Sequence, residues 1–343
     1  MPDETDSRAA EVERRIAWLR SSLAERGAGG VLLASRASFA WATLGGLNHV
    51  VAGSDAGAVP LLITADGACA IAPVIEAARI AEEELSGLPI EVSSVEWEDP
   101  RAIGAEVARR ATGAVLREDD LGDALVDRRS QLVPAEHARM RDIASEVVAA
   151  IEATLSEVRP SHMEHEVAGR VAGRLLSSGI RAPVLLVAAD ERIERYRHPI
   201  PTSTPVRGRV MIVVVGERWG LHAAATRIAD LEPAQAPADL QRRASATATV
   251  LEAMRAHTRS GATLDDVLAA AREAYAATGF ADEWRLHHQG GTIGYAPRER
   301  IAVPGDRTTL WPGIAVAWNP SVTGTKLEAT MIVTAGDPEE LAR

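Results

Sequence analysis

A single cysteine, Cys69, serves the whole 343-residue chain, which excludes a disulfide framework and any cysteine-rich metal site. Basic residues are outnumbered: 37 Lys and Arg face 48 Asp and Glu, a formal net charge of −11. A sequence-independent nucleic-acid binder needs a basic face to displace phosphate counterions, so that class is excluded. No apolar run reaches the roughly 18–20 residues of a membrane span. The first 30 residues are charged and helix-patterned, unlike a secretory signal. The expectation is a soluble, cytoplasmic protein with neither membrane nor nucleic-acid partners. Common site motifs are missing too: no GxxxxGKS/T, no HExxH, no GxSxG, and no GxGxxG behind a strand. Gly290-Gly291-Thr292-Ile293-Gly294 is glycine-rich but precedes no helical pattern, and reads as a tight strand connection.

What is present is a globular composition, 46% hydrophobic and 25% charged, over a length that suits two domains. Val12, Ile16, Leu19 and Leu23 recur near helical spacing within 8–26, and Gly27–Gly30 ends that helix. Strand-like runs at 31–34, 60–64 and 68–74, with helical patterns at 75–86 and 101–111, predict a small α/β domain. Dense charge at Arg117–Asp120 places its boundary within 120–132, giving domains of 1–130 and 131–343. In the second half, helices are predicted at 134–158 and 163–178, separated by the turn-and-cap signal Arg159-Pro160-Ser161. Helices at 235–258 and 264–277 and strands at 183–189, 210–215, 284–288, 314–319 and 328–334 complete an α+β pattern.

Polar chemistry gathers in four short places beside predicted strands. They are Arg195–Pro201, Trp219–Arg227, His287–Glu299 and Trp318–Glu328. Three of the seven tryptophans, Trp219, Trp284 and Trp318, lie beside them, and aromatic walls with a few polar groups suit a small-molecule cleft. The ordered signals are His198-Pro-Ile-Pro201, Val206-Arg-Gly208, Gly220 with Thr226-Arg227, Gly291-Thr-Ile-Gly294 with Glu299, Pro312-Gly313 with Asn319-Pro320, and Leu327-Glu328. In this order and spacing the chain resembles the pita-bread superfamily of creatinase, aminopeptidase P and methionine aminopeptidase. The resemblance covers nearly the whole chain. It implies a creatinase-type N-terminal α/β domain, a C-terminal pita-bread domain and a homodimer.

The resemblance also implies where metal would sit. Peptidases of this superfamily hold two divalent ions with two aspartates, one histidine and two glutamates. Aligned on Thr226-Arg227, the aspartate positions fall on Val213 and Ala224, the histidine on Gly291, and the glutamates on Asn319 and Glu328. One carboxylate among apolar neighbours does not hold hard or borderline cations, so no metal and no cofactor is expected. His287 and His288, as adjacent strand residues, are expected to point to opposite faces and not to act as a pair. Creatinase is a metal-free member with a histidine as acid/base, and that position matches His198. Its guanidinium-binding carboxylates correspond to Thr226 and Asn319, so creatine is not the expected substrate.

On this reading His198, Glu328 and His288 are the candidate catalytic residues. A histidine takes up and releases protons near neutrality. Against a site role for Glu328 stands an edge carboxylate in water or a pair with Lys326, which shares its strand face. The candidate substrate-binding residues are Arg298, Arg227, Asn319, Trp219, Trp318, His222 and Thr226. Arg298 stands where the peptidases use a histidine, and a permanent cation there anchors an anion. The expected activity is a metal-independent hydrolase, or related lyase, acting on an amide-type C–N bond of a small carboxylate-bearing or short-peptide substrate. Two alternatives are a pseudopeptidase binding a peptide or amino acid without turnover, and an Xaa-Pro-type metallopeptidase with an unorthodox metal site.

Overall fold

The computed structural model describes residues 4–231 and 238–342. The chain forms two compact units, Met1–Arg129 and Ser130–Arg343. In chain order the first runs α1 (Glu4–Arg26), β1 (Gly30–Ser35), α2 (Arg36–Ala42), β2 (Ala56–Thr64), β3 (Ala68–Pro73), α3 (Val74–Arg79), β4 (Glu91–Val95), α4 (Ala102–Arg110), β5 (Val115–Arg117), α5 (Glu118–Leu121) and α6 (Asp123–Ser130). The apolar stripe Val12, Ile16, Leu19 and Leu23 of α1 is buried, as its spacing demands. Gly27 then takes a φ of +61°, and Ala28 N–H reaches back to the Leu23 carbonyl at 3.1 Å, closing the helix end. The five strands form one mixed sheet in the order β4-β3-β2-β1-β5. Here β4, β5 and α2 lack a strong periodic signal in the sequence, and the pattern at 75–86 splits into α3 and a π-turn at Ile80–Glu84.

The second unit continues α7 (Pro134–Glu157), α8 (Glu164–Ser177), β6 (Arg181–Ala189), α9 (Glu191–Arg195), β7 (Arg209–Arg218), β8 (Leu221–Asp230), α10 (Ala238–His257), α11 (Leu264–Ala277), β9 (Gly290–Ile293), β10 (Arg300–Ile301), β11 (Ala315–Trp318), β12 (Ala329–Ile332) and β13 (Glu339–Ala342). Two sheets result, β6-β7-β8 and β10-β9-β11-β12-β13. Against the second, α10 and α11 pack Val250, Leu251, Met254, Leu264, Val267 and Tyr275 onto Val316, Trp318 and Met331, all buried.

Three local expectations are corrected. The start of α8 is not capped by Ser161, which has a φ of +75°; instead the Glu166 carboxylate accepts the Met163 N–H at 2.8 Å. No strand spans 284–288. Glu283–Leu286 is a 3-10 turn, and the strand begins only at Gly290, whose φ of +111° admits the change of direction. The predicted start of the 235–258 helix lies outside the described residues, and α10 is seen from Ala238.

Candidate active site

Strands β6 and β7 build the floor of a pocket of about 270 Å3. Alternate residues of a strand face the same way, and the antiparallel register sets Val184 opposite Val215 and Leu186 opposite Val213, so four aliphatic side chains form one apolar wall. On β8, Thr226 lies across from Val213 on that same face. The other sheet brings polar groups: Asn319 follows β11 and Glu328 precedes β12, side by side because Trp318 pairs with Ala329. Thr330 joins the sheets, its Oγ donating to the Ala224 carbonyl and accepting the Ala224 N–H, both at 2.9 Å.

Glu328 is 2% exposed and fully engaged. Its Oε2 accepts from Thr226 Oγ at 2.8 Å and its Oε1 from Arg298 Nη2 at 3.0 Å. Arg298 sits on the β9–β10 connection, where Glu299 accepts the Ala296 N–H and fixes the turn. A buried carboxylate that keeps a guanidinium beside it satisfies charge and hydrogen bonds together.

His198 enters on the loop between α9 and β7, and a buried carboxylate holds both ends of that loop. Glu164, the first residue of α8, accepts from Ala189 N–H, Arg192 Nε, and both N–H and Oγ of Thr202, at 2.7–2.9 Å. Arg197, next to His198, donates to Glu283 and Thr323. Across the pocket, His287 and His288 lie between the 3-10 turn and β9, so strand alternation does not separate them. Their rings stack, with centroids 4.5 Å apart, and the expectation that they face opposite ways is overturned. His287 Nε2 meets His198 Nε2 at 3.0 Å. Gln289 pins this segment, bonding Tyr275 Oη and the carbonyls of Trp284 and His287.

All three imidazoles favour the neutral form. Burial first, then the positive charges of Lys326 and neighbouring groups, pushes His287 down to about 2. Burial and then Arg298 push His288 to about 4. His198 is lowered from its ordinary value by partial burial and then Lys326, with Glu328 opposing. The Nδ1 atoms of His287 and His288 are buried without protein partners. One ring nitrogen from each of the three lies within 4.8 Å of the others, the donor type that a borderline divalent ion takes. Arg298, however, brings a permanent positive charge to the same pocket, and Lys326 brings an amine that burial holds below its ordinary pKa; the guanidinium opposes a dication.

His198, His288, Glu328, Arg298 and Asn319 therefore line one pocket, with Thr226 supporting Glu328 from behind. Four other candidates do not join them. Trp219 is the first residue of a two-residue hairpin turn with Gly220, both at positive φ, and its ring stacks against the Arg218 guanidinium at 3.7 Å. Trp318 is a core residue whose Nε1 donates to Thr258. His222 is buried, its Nδ1 set on the Gly294 carbonyl at 3.0 Å. Arg227 braces Glu152 and the Thr226 carbonyl and lines a second cavity of about 360 Å3 with Arg209, Ile228 and Thr325.

Two residues carry more than the sequence patterns assign them. His287 is one. The other is Lys326, 6% exposed, which lines both cavities and forms no ion pair with Glu328 within 4 Å, so that alternative to a site role for Glu328 is not realised. Composition holds the signal for it: the chain has 36 arginines and one lysine, and this is the one.

Residues 138–335 match Metallopeptidase family M24. The chain belongs to that family. It is also 28% identical over 311 residues to the probable dipeptidase PepE of Mycobacterium tuberculosis, 80% of each chain being covered. Among solved structures it resembles the dipeptidase of Pyrococcus horikoshii OT3 (TM-score 0.78, 18% identity, 96% of this chain and 98% of that one). It also resembles the dipeptidase PepE of Mycobacterium ulcerans (0.76, 18%, 98% and 96%) and aminopeptidase P of E. coli (0.72, 14%, 97% and 94%). The fold is thus the α+β pita-bread architecture with a creatinase-like N-terminal domain. The family name implies metal ions, and the residues at the positions assigned to their ligands can be tested against the structure. Val213 and Ala224 offer no donor atom. Gly291 can carry no side chain on this backbone, since a Cβ there would stand 1.9 Å from the Arg300 carbonyl oxygen. Glu328 is already committed to Arg298 and Thr226. These residues do not fit a two-ion centre.

Proposed function

We propose that this M24-family chain is a hydrolase that cleaves an amide-type C–N bond of a small carboxylate-bearing substrate without the two ions of its relatives. His198 acts as general base and acid. Neutral His198 removes a proton from water as its oxygen attacks the substrate carbonyl carbon. The proton then passes to the leaving nitrogen as the C–N bond breaks, giving a carboxylic acid and an amine. His287 orients the His198 ring by accepting its Nε2–H, which leaves His198 Nδ1 as the basic nitrogen, and burial with nearby positive charge keeps His287 neutral. Glu328 positions Arg298, and Asn319 offers its carboxamide to the substrate. The observation that carries this reading is the His198–His287 contact at the rim of a pocket that also holds the Arg298–Glu328 pair.

The test is turnover of a panel of small carboxylate-bearing amides, followed by amine release. His198→Ala should lose about 100-fold or more in kcat while unfolding at the same denaturant concentration as the unaltered chain. Equal turnover by the two proteins sinks the assignment.

A further inference from the structure

Several buried polar groups around this pocket have no protein partner. Lys326, the only lysine of the chain, makes no hydrogen bond or ion pair among the described residues. Arg298 Nε, Asn319 Oδ1 and His288 Nδ1 are likewise buried and unpartnered. Native interiors rarely leave such groups unsatisfied, and all four belong to residues that line this one pocket, so a ligand seated there with small side-chain adjustments would supply partners of the opposite character. Two of the four are donors and two can accept an N–H.

The charge balance sharpens this. Arg298 carries a permanent positive charge that Glu328 balances, and Lys326 is an ammonium that burial disfavours and an arriving anion would restore. The pocket therefore favours an anionic ligand group beside Lys326. A ligand carboxylate would be drawn in. A ligand ammonium would meet the Arg298 guanidinium, with the single carboxylate already bonded to Arg298 and Thr226. The residue choice fits as well: a compact ammonium on a flexible stem occupies a site with buried flanks where a planar guanidinium fork demands more room.

We propose that the pocket recognises small N-acylated amino acids and rejects those with a free α-ammonium. Lys326 and Arg298 Nε hold the carboxylate, and Asn319 Oδ1 accepts the amide N–H. The β6–β7 wall of Val184, Leu186, Val213 and Val215 takes the aliphatic side chain or acyl group. The proposal rests on this pocket being the site of the hydrolysis above, and it names the substrate class.

Calorimetric titration of the full chain with N-acetyl-L-leucine, N-acetyl-L-leucine methyl ester and free L-leucine tests it. The acid should bind at least about tenfold tighter than either of the others. In Lys326→Met the acid and the ester should differ by less than about twofold, with folding checked by circular dichroism. The three-ligand comparison on the unaltered protein needs no variant, so it stands even where that substitution impairs folding. Ester or free leucine binding as tightly as the acid, or no binding of the acid at millimolar concentration, overturns the proposal. Binding with the stated preference but no cleavage upholds the recognition and removes the hydrolase reading. Cleavage of neutral amides with acid and ester held alike does the reverse.

Discussion

His287 illustrates what one side chain contributes at a site like this. It is 8% exposed, and burial with nearby positive charge favours its neutral form so strongly that its folded-state pKa falls to about 2. A base whose folded pKa lies below its unfolded value of about 6.5 contributes stability that is complete above that value and lost as pH falls beneath it. Between pH 7 and pH 5 the unfolding free energy should fall by about 2 kcal/mol through this residue alone. Urea titrations at the two pH values check this, since His287→Gln should show a drop smaller by that amount. An identical drop in both proteins would show that His287 is not held neutral. The role of this residue is hidden in the sequence because it depends on a fold event. His287 and His288 read as alternating strand neighbours, yet the strand starts two residues later and the rings stack. Lys326 is hidden differently. A Lys-x-Glu pair before an apolar strand reads as a surface ion pair, and only the burial of the one lysine among 36 arginines sets it apart.

Among the elements, the 190–201 loop and its anchor matter most. Glu164 closes that loop by accepting four hydrogen bonds on two oxygens, so His198 reaches the pocket from a segment tied at both ends. In Glu164→Gln an amide N–H2 must face either Ala189 and Arg192 or the two donors of Thr202. The expected cost is about 2–4 kcal/mol, by the measure of breaking a buried charged hydrogen-bond network. Hydrogen exchange should rise across 189–204 while α7 keeps its protection. The kcat should fall with little change in KM, because the substrate's own contacts remain. Uniformly raised exchange would mean that Glu164 supports the whole unit and not the loop. The helices and the long strands β6 and β7 are readable from periodicity, since each buries a continuous apolar face. The short strands β4, β5 and β10 are not, being two to five residues long and partly exposed, and β5 pairs with β1 far back along the chain.

For the whole molecule, sequence order proves more informative than any single residue. Six short signals in register fix a fold that relatives at 14–28% identity share over most of their length, because glycines, prolines and strand ends mark backbone geometry that the architecture requires. Ligand chemistry is less constrained by that geometry. The same positions converge here with valine, alanine, glycine and asparagine in place of the family's donors. Anything that binds only the folded state raises its apparent stability, so a resident ion would register in thermal unfolding. Unfolding curves with and without EDTA should superimpose within about 1 °C, and elemental analysis of purified protein should find zinc, manganese and cobalt well below one equivalent. A chelator-sensitive midpoint with near-stoichiometric metal would require the three-histidine cluster, or Glu328 with an imidazole, to be re-examined as a Lewis-acid site.

The close approach of the Arg300 carbonyl to Gly291 bears on protein engineering. Carboxylates could be written into positions 213, 224 and 319 one codon at a time, but an imidazole at 291 collides with main chain, and no neighbouring side chain can be trimmed to make room. Building the two-ion ligand set of the family would mean redrawing the β9–β10 hairpin itself, which makes this scaffold a poor starting point for that redesign.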